Sequence, residues 1–147
     1  MASVEGRTRT PVHLWIVGVV SALWNSIGVM DYVLTQTRNQ AWIAQMAPEQ
    51  IAWVESAPLI AHASWAFGVW GALAGSLLLL ARSRHAVTAF ALSLAGLAVN
   101  TIYQLSAPMP SGHMDSTAML ALHALIWAIA IALLAYALWV RRRGELR

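Results

Sequence analysis

Four stretches of this chain, about 13–34, 57–81, 86–107 and 117–140, are each long and apolar enough to cross a hydrocarbon core of about 30 Å, which takes on the order of 20 residues. They fill most of the 147 residues and leave no room for a separate soluble domain. Apolar residues make up 59% of the chain and charged ones 10%, against roughly 25% charged in soluble domains. A helix satisfies its own backbone hydrogen bonds in lipid, and the alternating pattern of barrel strands is absent. The expected fold is therefore all-α: one domain over 1–147, a polytopic bundle of four transmembrane helices.

The arginines orient it, because short basic segments stay on the cytoplasmic side. Arg7 and Arg9 precede the first span, Arg82 and Arg84 fill the link between the second and third, and Arg141, Arg142, Arg143 and Arg147 follow the fourth. The other two connections hold only Arg38, beside Glu49, Glu55 and Asp115. Both termini are expected in the cytoplasm and the protein in the inner membrane. A net charge of +3 is then a matter of topology and of anionic headgroups, not of nucleic acid. The first apolar run lacks a small-x-small cleavage site and is expected to stay attached as a span. With no cysteine, disulfides, thiolate metal sites and cysteine nucleophiles are excluded together.

Between the first two spans, Pro48 and Glu49 are placed to open a short helix and Pro58 to close it. Trp42, Ile43, Met46, Ile51, Trp53 and Val54 would let two short amphipathic helices lie on the outer membrane surface or cap the bundle as a lid. The run SAPMPSGHMDST reads as a turn, with Asp115 or Ser116 capping the fourth span.

Polar residues inside the spans are the candidate site. At 100° per residue, Ser21, Trp24, Asn25, Gly28, Asp31, Tyr32 and Thr35 fall within roughly 120° on the first span. Ser93, Gly96, Asn100, Tyr103 and Gln104 share roughly 100° on the third. The two stripes are expected to face each other as one polar seam. Counting about 1.5 Å per residue from the helix ends, Asp31, His62, Asn100, Tyr103 and His123 lie about 5 to 10 Å below the outer surface. Ionisable groups at such depth are costly unless paired or hydrated, so they mark a site. His62 lies about 150° from a close-packing face of Ser64, Gly68, Gly71 and Gly75, and so belongs to a second interface or to lipid. On the fourth span Ala121, Ala124, Ala128, Ala132 and Ala135 form one side, and Met119, His123 and Trp127 another.

The eight tryptophans divide by depth. Trp15 and Trp139 suit the inner headgroup belt and Trp42 and Trp53 the outer one, while Trp24, Trp65, Trp70 and Trp127 fall within the core. With Asn25, Asp31, Tyr32, Asn100, Tyr103 and Gln104, these core aromatics can wall a cavity for an amphipathic ligand or a stacked sugar ring. A haem held between histidines, or a metal on Asp31, His62 and His123, is the less favoured alternative, because no His-x-x-x-His or Glu-x-x-His spacing is present. Catalytic motifs are missing too: an enzyme reading would rest on one aspartate and two histidines at equal depth.

At LWNSIGVMDYVLTQTRN, APEQIAWV, WAFGVWGALAGSLLLLARSR and FALSLAGLAVNTIYQ, over about 12–105, the chain resembles a family of small uncharacterised bacterial four-span membrane proteins. Trp24, Asn25, Gly28, Asp31 and Tyr32 form the most specific block. The resemblance implies the four-span architecture and inner-membrane placement, and some members carry the label sugar transporter. The expectation is an inner-membrane bundle that binds or moves a small molecule. The competing class is a non-catalytic accessory subunit docking on a larger complex through its Gly and Ala faces. Four spans leave little room for alternating access, so transport implies at least a homodimer.

Overall fold

The computed structural model describes residues 11–108 and 117–147. Among them the chain forms six helices: α1 (Val12–Gln36), α2 (Gln40–Ile43), α3 (Pro48–Ser56), α4 (Leu59–Leu80), α5 (His85–Ser106) and α6 (Thr117–Arg142). α1, α4, α5 and α6 are long and apolar enough to cross a membrane, the shortest, of 22 residues, being about 33 Å at 1.5 Å per residue. Arg7, Arg9, the His113–Asp115 run and the expected cap at Asp115 or Ser116 lie outside the described residues.

The spans end within two residues of their expected limits, and local chemistry accounts for the differences. Ala57 before Pro58 is extended, as steric contact with the proline ring requires, so α4 starts at Leu59 rather than at 57. α1, α4 and α6 all stop in the same way. Asn39 N–H returns to Leu34 O, Ser83 N–H to Leu78 O and Glu145 N–H to Val140 O, around Arg38, Arg82 and Gly144 in the left-handed region. This 6→1 closure satisfies carbonyls that a helix end leaves open. Only Gly144 is the residue type that adopts the conformation without strain.

α4 packs against both α1 and α5, and α6 packs against α5. Small residues permit the close α4–α5 approach. A Cβ on Gly96 would lie 2.7 Å from Ser64 O and from Gly68 N, and one on Gly71 3.1 Å from Ser93 N. Close backbones bring side-chain donors to carbonyls of the next helix: Ser93 Oγ donates to Gly68 O at 2.6 Å. The Ser64, Gly68, Gly71 and Gly75 face is thus occupied by α5, as a packing face should be. The alanines of α6 at 121, 124, 128, 132 and 135 are instead exposed.

The polar stripes of α1 and α5 do not form the one continuous seam expected of them: Asn25 and Asn100 each reach α4 and not one another, while the outer parts of both stripes line a shared cavity. Asn25 Nδ2 donates to Ala72 O at 3.2 Å and Ser76 Oγ at 2.9 Å, and Asn100 Nδ2 to Ala61 O at 3.1 Å. α4 can accept both because it is small on two sides, with Ala72 and Ser76 toward α1 and Gly68 and Gly71 toward α5. The opposite face of α1, including Ile16, Val20, Leu23, Ile27 and Met30, is exposed. That is the inside-out pattern of a multi-pass membrane chain.

At the end where α1 begins and α6 finishes the four long helices converge. Leu14, Leu79, Ala86, Val87, Phe90, Leu133, Ala137 and Val140 form a buried cluster there. The turn at Gly144 folds the tail back so that Leu146 joins it. Arg147 N–H donates to Arg82 O and Arg84 N–H to Arg147 O, each at 2.7 Å. His13 reaches Tyr136 Oη at 2.6 Å across α1 and α6. This end is closed.

Candidate functional site

At the opposite end the described residues leave a space between them. Between the mouths of the four long helices lies a cavity of about 230 Å³, roofed by α3 and the segment before it. Asp31 and Thr35 come from α1, Ala61, His62 and Trp65 from α4, Asn100, Tyr103 and Gln104 from α5, and Met119 and His123 from α6. Met46, Gln50, Trp53, Val54 and Ala57 complete the wall. Asp31, His62, Asn100, Tyr103 and His123, grouped by depth in the sequence, all line this cavity.

The roof is fixed by three contacts. Asn39 caps α2 by accepting from Trp42 N–H at 3.2 Å. Arg38 pairs with Glu55 at 2.9 Å and ties the end of α1 to α3. Trp53 Nε1 donates to Ala107 O at 2.9 Å, which holds α3 against the end of α5. Trp42 and Trp53 are half-buried, and Trp53 lines the cavity. Beneath the same roof an adjoining space of about 190 Å³ shares Thr35, Met46, Val54 and His62 with the first.

Two hydrogen-bonded groups shape the floor. Gln104 Nε2 donates to Asn100 Oδ1, and Gln104 Oε1 faces His123 Nε2 at 3.2 Å. With Asn100 anchored on Ala61 O, this chain joins α4, α5 and α6. On the other side Gln36 Nε2 lies 2.9 Å from His62 Nδ1; an amide N–H donates, so that nitrogen accepts. His62 thus sits at the α1–α4 interface, the first of the two expected alternatives.

Asp31 is placed differently. The Thr35 hydroxyl and the Trp42 indole N–H are turned toward its carboxylate, yet neither atom closes a well-aligned hydrogen bond among the described residues. Thr35 is 5% exposed. A buried hydroxyl without a partner is uncommon, because it gives up water and receives nothing in return. The incomplete polar groups of this cavity therefore cluster at Asp31.

Four of the sequence-predicted site residues do not line the cavity. Asn25 lies about 9 Å further along α1, at 1.5 Å per residue, and is engaged by α4. Trp24 and Trp127 are half-buried elsewhere. Tyr32 stands behind the wall, edge-on to Trp65 with ring centroids 5.1 Å apart. Trp70, expected to help wall a cavity, is 48% exposed and does not line this one. Thr35, Met46, Gln50, Trp53, Val54 and Met119 were not among the predicted ligand residues; Thr35 was legible as part of the α1 stripe, and Met46, Trp53 and Val54 as a lid. Among the described residues no three His, Asp or Glu side chains converge as a metal site would require.

Fold and cavity together define the class: an all-helical, multi-pass type of chain with a partly polar chamber at one end. Set against models of protein families, curated proteins and solved structures, the chain matches none.

Proposed function

We propose that this is a small bacterial inner-membrane protein with both termini in the cytoplasm, and that it binds a small amphipathic molecule in the chamber at its outer end. The observation that carries the reading is a cavity of about 230 Å³ whose lining brings the Asp31 carboxylate together with Asn100, Gln104 and His123. Empty cavities are lined by apolar groups, whereas polar groups in the lining mark a place for a ligand or water. Trp53, Trp65 and Tyr103 supply flat apolar walls. The orientation rests on Arg82, Arg84 and Arg141–Arg143 at the closed end.

Binding is tested with protein purified in detergent, denatured and assayed by mass spectrometry for released small molecules, and by titration of its tryptophan emission with amphipathic compounds. Release of a stoichiometric compound, or saturable quenching lost in Trp53→Phe/Trp65→Phe, is expected. No release and no saturable response from any compound would overturn the reading. Movement of the ligand across the membrane would require a second copy, since one bundle closed at its inner end offers no alternating path.

A second reading, an accessory subunit of a larger complex, is favoured by one observation. The exposed alanine side of α6 is the smooth surface on which another helix can pack, whereas the glycine face of α4 is already covered. Ala128→Leu should abolish a co-purifying partner if that reading is right and leave the protein's behaviour unchanged if not.

A further inference from the structure

The chamber selects by charge. Building on the small-molecule reading above, we propose that its occupant is a small organic monocation, an alkyl- or arylammonium ion, with the ammonium on Asp31 and the apolar body against Trp53, Trp65 and Tyr103.

Charge is the first ground. Among the described residues lining the cavity Asp31 is the one carboxylate, and none is Lys or Arg. The nearest arginine by chain position, Arg38, lines the adjoining space and is held by Glu55 at 2.9 Å; the remaining described arginines belong to the closed end. An ionised carboxylate among apolar helices is costly without a counter-charge. His62 Nδ1 is engaged by Gln36 Nε2 at 2.9 Å on the α1–α4 side. His123 is the rival, since its two ring nitrogens face Gln104 Oε1 at 3.2 Å and Met119 O at 3.1 Å.

Hydrogen bonding is the second ground. Here Asn100, Gln104 and His123 are engaged with one another and with Ala61 O, and the Trp53 N–H is committed to Ala107 O. The acceptor in the lining that can carry charge is the Asp31 carboxylate, and an ammonium brings N–H donors to it.

The walls are the third ground. Trp53 and Tyr103 lie with centroids 5.6 Å apart at 39°, and Trp65 is braced edge-on by Tyr32. Aromatic faces attract cations, and the sulfurs of Met46 and Met119 are soft and adaptable. Size then limits the guest. A cavity of 150 Å³ holds benzene, so about 230 Å³ accommodates roughly nine or ten non-hydrogen atoms on the same scale.

The test uses the intact protein in nanodiscs of zwitterionic lipid, titrated with 2-phenylethylammonium, its neutral counterpart 2-phenylethanol, and glucose, and read by tryptophan emission. The ammonium and the alcohol share a shape and differ in charge. Saturation by the ammonium at a concentration about tenfold or more below that of the alcohol is expected. Asp31→Asn should close that gap and leave the alcohol's affinity within about twofold. Equal binding of the two, as would follow if His123 carried the compensating charge, overturns the proposal without any variant. So does a gap that survives Asp31→Asn, or binding of glucose alone, each of which leaves the small-molecule reading standing. If none of the three binds, the proposal falls; the small-molecule reading falls with it only if the wider set of compounds also fails.

Discussion

Asn25 and Asp31 sit six residues apart on one helix and hold opposite kinds of position. Asn25 is 9% exposed, and its amide meets a carbonyl and a hydroxyl of α4. Asp31 is half-buried at the chamber, with two donors beside it and no completed bond. Asn25→Ala should therefore destabilise the bundle by about 0.6 to 2 kcal/mol, the range of interhelical hydrogen bonds in membranes, and leave ligand binding alone; thermal unfolding in detergent measures the first and a titration the second. Asp31→Leu should be nearly neutral for stability. Asn100 donates to Ala61 O and not to Asp31, so Asp31→Leu and Asn100→Ala should add within about 0.5 kcal/mol in the empty protein and depart from additivity only in ligand affinity. Coupling in the empty protein would show a direct Asp31–Asn100 interaction that the geometry does not contain. The sequence could identify both residues as inward-facing, because a helical projection reports which side chains share a face. It could not identify what they meet: Asn25 and Asp31 share an arc, and only the position of α4 separates a packed amide from a cavity carboxylate.

Among the elements, α4 organises the fold through what it lacks. Its small residues let α5 come close enough for a Cβ on Gly96 to collide with Ser64 O, and for one on Gly71 to crowd Ser93. Backbone cannot retreat as a side chain can. Gly96→Leu and Gly71→Leu should prevent folding or lower the melting temperature far more than Ala128→Leu, whose site on α6 is exposed; equal tolerance, measured by size-exclusion monodispersity and thermal unfolding, would mean that α4 and α5 do not pack this way. The glycine pattern of α4 was readable from spacing alone, and so was the alanine side of α6, yet one face is covered and the other bare. Both are runs of small residues at helical spacing, and spacing does not carry the identity of the neighbour. The tail was less legible still. Leu146, after three arginines, looks like the end of a charged segment; it is 8% exposed because Gly144 turns the chain back. Removal of residues 144–147 takes away that burial and two main-chain bonds to the α4–α5 link. A loss of about 2 to 4 kcal/mol is expected, visible as earlier unfolding of the closed end in hydrogen exchange.

At the scale of the whole molecule, one end is packed shut and basic and the other holds the chamber, so the direction in which the chain sits decides which compartment the chamber samples. The arginines argue for the chamber outside, because a basic end is retained in the cytoplasm. The chain's lack of cysteine turns that argument into a clean measurement, since any thiol introduced is the only one present. Glu49→Cys places it on exposed α3 at the chamber end, and Arg84→Cys on the exposed α4–α5 link at the closed end. Neither position is in the buried cluster, and the hydrogen bond at residue 84 comes from its backbone N–H, which cysteine keeps. In intact cells with a permeabilised outer membrane, a membrane-impermeant maleimide should label Glu49→Cys and spare Arg84→Cys until the inner membrane is broken. The reverse pattern would place the chamber in the cytoplasm and remove the positive-inside argument. Labelling of both in intact cells would mean that the four long helices do not cross the membrane in one fixed sense. Because the roof over Asp31 is built from the same segment that carries residue 49, the outcome also assigns the side from which an ammonium ion must arrive.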